Sequence, residues 1–240
     1  MKKVTRQDVL NQLISNYQKQ IFTAIPGYFV AFTDQTHQRA QVQIGVQRVD
    51  IYGSVFNPPP VADVPVVFPG GDYALEYELQ NGAEGLIVFS QRCVDGWKQS
   101  GGVGVNPVAR FHHPQDAFFI PGARSLKTAM TDFQNNGIRL RDKAGTSYIW
   151  LKNDTTVQAQ NPKGSVTLAA DGSSTQKNQN GSLSLGADGT VNANGTTIDK
   201  NGNIVLKSGA TITDGRGVVV ETHKHGGVES GGSTTAGPQS

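Results

Sequence analysis

Two histidines near the C-terminus are the residues of this sequence whose type and spacing best suit metal binding. His223 and His225 stand in the stretch Thr222-His223-Lys224-His225-Gly226-Gly227, directly after the alternating residues Val218 and Val220. If the alternation continues as a β-strand, both imidazoles point to one face, because side chains two residues apart on a strand share a face. One pair offers a metal only two nitrogens. Three copies of the strand around one axis would offer six, enough for an octahedral shell.

The composition limits the classes of partner and of compartment. The chain has 240 residues and a formal net charge of +2, so there is no electrostatic case for a nucleic-acid partner and we expect none. The single cysteine, Cys93, excludes an intramolecular disulfide framework, and we expect it to be a small buried hydrophobe. The sequence contains no recognisable secretory signal and no apolar run near the roughly 18 residues of a transmembrane helix, so we expect synthesis in a cytoplasm.

An amphipathic helix is predicted at the N-terminus, within a helical segment assigned to residues 1–25. The pair Thr5 and Asp8 resembles a capping box at its start, and the helix is expected to run to Phe22. Its apolar residues follow the spacing of one stripe: Leu10, Leu13, Ile14, Tyr17 and Ile21. A single stripe must be covered, and the sequence leaves open whether its own domain or a neighbouring subunit covers it.

Residues 26–130 change to short strands and turns, which predict a small β-domain. Strands are expected at Tyr28–Phe32, Arg39–Val49, within 63–72, and at Tyr73–Leu79 and Glu84–Phe89, the last two forming a hairpin through Asn81-Gly82. About five short strands in about 100 residues favour a small closed barrel such as an OB-fold, or a small sandwich. The predicted class is therefore all-β with one N-terminal helix.

From residue 131 to 220 the remaining apolar residues come mostly in pairs two positions apart. These pairs are Ile138/Leu140, Ile149/Leu151, Val166/Leu168, Leu183/Leu185, Ile204/Leu206, Ala210/Ile212 and Val218/Val220. Turns with positive φ are expected at the intervening dipeptides Asp171-Gly172, Asn180-Gly181, Asp188-Gly189, Asn194-Gly195, Asn201-Gly202 and Asp214-Gly215.

These short strands carry too few aliphatic side chains to build a core within one chain. Three chains wound about one axis would share a narrow core and bond their strands to one another, so we predict an intertwined trimeric β-helix over 131–220. A disordered tail and a monomeric β-solenoid are the alternatives.

Several blocks together resemble one protein family. They are residues 63–71 (Asp-Val-Pro-Val-Val-Phe-Pro-Gly-Gly), Gly85–Arg92 with Asp95-Gly96-Trp97, Arg110–His113, Asp116–Gly122, and the terminal Thr-His-Lys-His-Gly-Gly. In this order they resemble the membrane-puncturing baseplate spike proteins of contractile-tailed phages, most closely the Gp138-type spikes, with the P2-type central spike as a relative.

The resemblance implies a homotrimer with an OB-fold, an intertwined triple-stranded β-helix, and an apex over residues 221–240. In the family, the His-x-His of three chains holds a buried iron at the apex; the matching residues here are His223 and His225, with one iron, Fe(II), per trimer. It also implies attachment to a baseplate hub or tail tube protein, a location in the virion tail baseplate after synthesis in the host cytoplasm, and transient contact with the host outer membrane as the spike pierces it.

Three other functions compete with the structural spike. A secretion-system spike would share the fold, a receptor-binding tail tip would need exposed aromatics or a head domain, and a cell-envelope depolymerase would need two carboxylates in a cleft. The aspartates after Trp150 stand mostly in Asp-Gly turns, and Glu76 and Glu78 are expected on a solvated strand face. We therefore expect no catalytic residues. His112-His113 is expected to make a loop contact, His37 to be solvated, and Trp97 to pack on the barrel or a neighbouring subunit.

Overall fold

The computed structural model describes residues 4–50 and 52–223, and the chain divides into two compact units after Ala129. Most regular structure is β-sheet, which confirms the predicted all-β class with an N-terminal helix. Each unit contains one large sheet: five strands in the first unit and nine in the second.

Helix α1 spans Arg6–Gln18 and begins at the predicted capping box. The Thr5 hydroxyl accepts the Asp8 N–H at 3.2 Å, and the Asp8 carboxylate accepts the Thr5 N–H at 2.8 Å. The predicted end at Phe22 is wrong. After Gln18 the chain makes a turn in which the N–H of Ile21 donates to the carbonyl of Gln18. The N–H of Phe22 then donates to the carbonyl of His112 in the same unit.

The first unit is built on strands of very unequal length. Its elements are β1 (Ala24–Asp34), β2 (Arg39–Ile44), β3 (Arg48–Val49), β4 (Val55–Phe56), β5 (Val61–Pro65), β6 (Glu84–Phe89), helix α2 (Asp95–Ser100) and β7 (Ala117–Pro121). The main sheet has the order β5-β2-β1-β6-β7, and β3 pairs with β4 in a separate small hairpin. The predicted strand Arg39–Val49 is therefore two strands.

The two outer strands of the five-stranded order are joined to each other. Val66, just past β5, pairs in parallel with Phe119 of β7, and the N–H of Val67 donates to the Phe119 carbonyl at 2.9 Å. Alternate residues of the strands point inward, and the core contains Phe29, Val42, Val64, Ile87 and Phe119, all nearly or fully buried. Burying such side chains contributes about 1.5–3 kcal/mol each, so this unit has a core of its own.

The predicted hairpin of Tyr73–Leu79 with Glu84–Phe89 is wrong, although its turn exists. Gly82 has the expected positive φ of 86°, but residues 75–80 form no strand. Both edges of β6 are already occupied, by β1 on one side and β7 on the other. Because β6 has no free edge for residues 73–79, these residues do not pair with it. The prediction that Glu76 and Glu78 lie on a strand face is therefore wrong.

The second unit is one antiparallel meander in which each strand pairs with the next along the chain. Its strands are β8 (Gly137–Arg141), β9 (Tyr148–Lys152), β10 (Val157–Asn161), β11 (Gly164–Leu168), β12 (Ser174–Asn178), β13 (Ser182–Leu185), β14 (Val191–Ala193), β15 (Thr196–Ile198) and β16 (Ile204–Val205). Strands β9 to β15 thus bond to two neighbours of the same chain. The expected bonding of each strand to neighbouring chains is not seen, because short turns return the chain beside the strand it has just left.

Asx-Gly turns connect much of this meander. Positive φ occurs at Gly172, Gly189, Gly195 and Gly202, as predicted. It does not occur at Gly181 or Gly215, so those two predictions are wrong. In the last case Gly217 takes the positive φ, at 84°, two residues later than expected.

Candidate functional site

The register of the meander sorts its side chains into two faces. One row of directly paired residues runs across the whole sheet: Ile138, Leu151, Val157, Leu168, Ser174, Leu185, Val191, Ile198 and Ile204. A second row on the same face contains Leu140, Ile149, Ala159, Val166, Gln176, Leu183 and Ala193. We call these two rows the aliphatic face. The predicted aliphatic pairs from Ile138 to Leu185 therefore lie side by side.

The aliphatic face is exposed in the single chain. Ile138 is 71% exposed, Leu183 51% and Ile204 61%. Soluble monomers seldom expose contiguous apolar surface larger than a few hundred Å², and larger patches mark contact sites. The aliphatic face is therefore the part of the second unit that most requires a partner surface.

The opposite face of the meander carries polar residues and is partly covered by its own side chains. Its row contains Arg139, Trp150, Gln158, Thr167, Thr175, Ser184 and Asn192. The Arg139 guanidinium lies 4.1 Å from the centre of the Tyr148 ring and 5.0 Å from that of Trp150. Such cation–π contacts stabilise a half-buried surface without a second chain, so this face suits solvent better than the aliphatic face does.

His223 lies at the end of the described chain, and its backbone is not the predicted strand. The chain pairs at Val219 with Thr213 and then turns, so that the N–H groups of Thr222 and His223 both donate to the Val219 carbonyl, at 3.2 and 2.9 Å. A turn closes here because one carbonyl accepts from residues three and four positions ahead. The prediction that His223 lies on a strand face shared with His225 is therefore wrong, because His223 does not lie on a strand. His225 lies outside the described residues.

The ring of His223 is oriented by a backbone oxygen. Its Nδ1 lies 2.7 Å from the carbonyl oxygen of Val220. A carbonyl oxygen only accepts, so in the neutral ring the proton is on Nδ1 and the lone pair on Nε2. Metal-binding histidines are commonly held in this way, with one ring N–H donated to a carbonyl or carboxylate. The described part of the predicted iron site thus fits a metal ligand.

Glu221 supports the same turn, a role that the sequence did not indicate. Its carboxylate oxygens accept the N–H of Ile212 at 3.1 and 3.3 Å, and the N–H of Val220 donates to the Ile212 carbonyl at 2.8 Å. These bonds fix the segment before His223 to the preceding strand region. No sequence signal distinguishes Glu221, because the contact depends on a pairing nine residues away.

The turn aspartates of the second unit have the structural role that was predicted. Asp171, Asp188 and Asp214 each accept a backbone N–H two residues ahead, at 2.9 Å. Hydrogen bonds to the charged form hold the pKa of each carboxyl below its usual value, chiefly from the Ser173 hydroxyl at Asp171, the Thr190 N–H at Asp188 and the Val218 N–H at Asp214. The aspartates are therefore engaged in closing turns.

A second cluster with metal-ligand residue types lies in the first unit. Cys93, Asp95 and Asp116 bring three ligand atoms within 4.8 Å of one another. The Arg110 Nη2 occupies their centre, 3.2 Å from the Cys93 sulfur, 2.7 Å from Asp95 and 2.8 Å from Asp116. The guanidinium supplies the positive charge that a metal would bring, so this cluster is a partly buried ion-pair network. Cys93 is buried as predicted, but its sulfur contacts the Arg110 guanidinium and not only apolar side chains.

The other singled-out residues make local contacts. The Nδ1 of His112 lies 3.0 Å from the Phe22 carbonyl oxygen, and His113 Nδ1 accepts the N–H of Gln115, which confirms the predicted loop contacts. His37 is mostly exposed beside Asp34. The Trp97 ring packs against Phe118 of β7, with ring centres 5.4 Å apart. Within residues 4–50 and 52–223, no helix has the length and apolarity required to span a bilayer.

Two segments of the chain match known protein families. Residues 25–122, which contain the five-stranded sheet, match the family described as Phage protein Gp138 N-terminal domain. Residues 217–239, which contain both histidines, match the GpV Apex motif. No curated protein matches the chain. Both families come from phage baseplate spike proteins and occur in the order that the sequence blocks predicted. Together the two matches support a Gp138-type baseplate spike protein of phages.

Proposed function

We propose that this spike protein acts as a homotrimer in which the aliphatic faces of three meanders meet around one axis. The observation that carries the proposal is the exposed aliphatic face, which runs over all nine strands of the second unit. Three sheets with their aliphatic faces turned inward would enclose one apolar core and leave the Arg139 and Trp150 face in solvent. This arrangement replaces the expected interchain strand bonding with packing between sheets, while the three-chain core is retained.

Two copies could also cover the aliphatic face, as a face-to-face sandwich. We favour three because the C-terminal motif supplies two histidines per chain, and three chains complete a six-ligand shell, whereas two chains supply only four. The resemblance to trimeric spikes supports the same number.

We infer that the five-stranded sheet is an OB-fold barrel. The support is topological: the order β5-β2-β1-β6-β7 becomes circular through the parallel pair Val66 and Phe119. A five-stranded, partly open barrel of this kind is the OB-fold pattern. In a baseplate spike this domain would bind the hub or tail tube protein.

We propose that His223 and His225 of three chains hold one iron ion, as Fe(II), at the apex. The Nδ1–H of His223 donated to Val220 supports Nε2 as its ligand atom. When bound, the ion would cross-link three chain ends and oppose their fraying. The protein's own residues supply the rest: Glu221 and the Val219 carbonyl hold the turn that presents His223.

The function that follows is mechanical rather than catalytic. A trimer with a shared core and a cross-linked apex would transmit the force of a contracting tail to the host outer membrane and pierce it. Local unfolding under load would have to separate three packed sheets together. The turn aspartates are used to close the meander, which supports a structural role for the acidic residues of the second unit.

Sedimentation of the protein and of two neighbouring substitutions tests the trimer. Leu183 lies on the aliphatic face, and Ser184 beside it lies on the polar face. We expect the wild type at three times 25.6 kDa. Leu183→Lys would place three ammonium groups in the shared core and should shift the mass toward that of one chain, because a buried unpaired charge is strongly unfavourable. Ser184→Lys should remain trimeric.

A wild-type mass of one chain would refute the shared core. A mass of two chains would indicate the sandwich, and equal behaviour of the two variants would show that the aliphatic face is not the interface.

A further inference from the structure

Helix α1 has an apolar stripe that its own unit leaves uncovered. All thirteen residues of α1 lie in the described part of the chain, and none of them is buried. On the stripe, Leu13 is 59% exposed, Ile14 57% and Tyr17 69%. An isolated helix shorter than about 12–15 residues is marginal in water, and most helices in proteins are stabilised by packing of one face. This helix therefore needs a partner surface.

The same unit contains a pocket of mixed polarity directly beyond the end of α1. Its volume is about 250 Å³. The apolar residues that line it are Ile21, Phe22, Ala24, Ile25, Ile44, Val46 and Phe89, and Thr23 and Gln47 line it as well. Lys19 and Arg48 add positive charge, and the Arg48 guanidinium lies 4.7 Å from the centre of the Phe22 ring. An apolar cavity of about 150 Å³ is large enough for a benzene ring, so this pocket has room for a large side chain such as a tyrosine.

The stripe and the pocket complement each other chemically. Tyr17 presents an aromatic ring with a polar tip, and aromatic faces attract guanidinium and ammonium groups such as those of Arg48 and Lys19. Leu13 and Ile14 on the same stripe supply further apolar surface. Within the described single chain these residues are exposed, so the stripe does not fill its own pocket.

We propose that α1 of one copy docks its stripe into this pocket of a second copy, with Tyr17 as the anchor. The inference rests on the proposed trimer, because each copy then gives one helix and receives one. A contact between two different surfaces of identical chains closes only if the rotation returns to the start, as a threefold axis does. Lys19 and residues 21–25 follow α1 in the chain and line the pocket, so a donated helix would join the pockets of adjacent copies around the ring.

Thiol cross-linking of the full chain tests the contact. Leu13→Cys on the stripe is combined with Val46→Cys at the pocket, and a short thiol-to-thiol cross-linker is added. The matched control combines Val46→Cys with Ser15→Cys, which lies on the opposite side of α1 by the 100° spacing of helical residues. Cys93 is present in every variant and is buried, so the wild type serves as the background.

We expect covalent dimers and trimers for the Leu13 pair and at least tenfold less for the Ser15 pair. Tyr17→Ala in the Leu13 pair should reduce the product several-fold. A cross-link within single chains would overturn the proposal, because α1 would then cover its own pocket. Absence of cross-links in a protein that sediments as a trimer would also overturn the docking proposal. The proposed trimer would then remain supported, and the apolar stripe of α1 would bind another partner, such as a tail protein. A protein that sediments as one chain would refute both.

Discussion

Arg110 connects three side chains of the segment between β6 and β7: Cys93, Asp95 and Asp116. Its Nε and Nη2 donate to the two carboxylate oxygens of Asp116 at 3.0 and 2.8 Å. The same Nη2 also contacts a carboxylate oxygen of Asp95 and the sulfur of Cys93. Asp116 is fully buried and also accepts the N–H of Val94 at 3.0 Å. The sequence indicated that Cys93 is buried, but it did not indicate which residue Cys93 contacts. Its partner Arg110 is 17 residues away, and no periodic pattern reports contacts between loops.

Replacing Asp116 should destabilise the first unit in a pH-dependent way. Burial raises the pKa of Asp116, but the hydrogen bonds from Arg110 and from the Val94 N–H outweigh it and leave the pKa below its usual value. A carboxylate with a lowered folded pKa contributes stability that is present above its unfolded pKa, about 3.9, and is lost as the pH falls through the folded pKa. We expect Asp116→Asn to lower the free energy of unfolding by about 3 kcal/mol at pH 7, since it leaves Arg110 without its buried partner.

Urea unfolding between pH 7 and pH 2, followed by the fluorescence of Trp97 in variants that carry Trp150→Phe, measures this effect. The difference between wild type and Asp116→Asn should shrink below about pH 4. Asp63→Asn is the control: Asp63 is 64% exposed beside the ammonium of Lys98, whose side chain is 6% exposed, and has φ of 55°, a backbone that asparagine also tolerates. Its loss should be smaller than that of Asp116→Asn, because the Lys98 ammonium keeps the carbonyl oxygens of Asp63 and Gln115 as acceptors. Equal losses for the two variants would mean that the Arg110 network adds no stability beyond that of the Lys98 pair.

At the scale of elements, the capping signal of α1 was reliable, whereas predictions that depend on pairing between distant residues were not. The start of α1 was predictable because the Thr5 and Asp8 capping box is complete within four residues. The end of α1 was not predictable, because Ile21 fits the spacing of the apolar stripe but lies beyond the helix and lines the pocket of the first unit. The hairpin predicted through Asn81-Gly82 failed for a related reason: the turn is local, whereas the pairing of β6 with β7 depends on residues 28 to 36 positions ahead.

The turn before the apex offers a test of backbone conformation at two glycines. Gly215 and Gly217 both have open space where a Cβ would stand, but only Gly217 has positive φ, at 84°. The left-handed region costs a residue with a Cβ about 1–2 kcal/mol. We expect Gly217→Ala to speed hydrogen exchange of the Asp214 N–H, which donates to Val218, by about five- to thirtyfold. Gly215→Ala should leave the rate within about twofold. Similar rates for the two variants would show that this turn opens without regard to the conformation at residue 217.

At the scale of the whole molecule, the sequence indicated that the second unit cannot stand alone but not how its strands are bonded. The aliphatic pairs are too few for a core in one chain, and the structure places them on one exposed face, as that argument requires. The meander differs from the expected interwoven strands because the turns at Gly172, Gly189 and Gly202 reverse the chain within the same sheet. Turn residues show where a chain reverses but do not specify whether the next strand pairs within the chain or with a neighbour.

The apex and the shared core should be separable. The aliphatic face extends over nine strands, whereas the predicted ligands His223 and His225 belong to the last residues of the chain. We expect the double substitution His223→Ala and His225→Ala to remove the metal and leave the trimer, because sheet packing supplies most of the buried area. Elemental analysis combined with sedimentation should give one iron per three chains in the wild type and in the control Lys224→Ala, and none in the double variant. Iron retained by the double variant would place the ligands elsewhere in the chain. A monomeric double variant would show that the metal, rather than the aliphatic face, holds the three chains together.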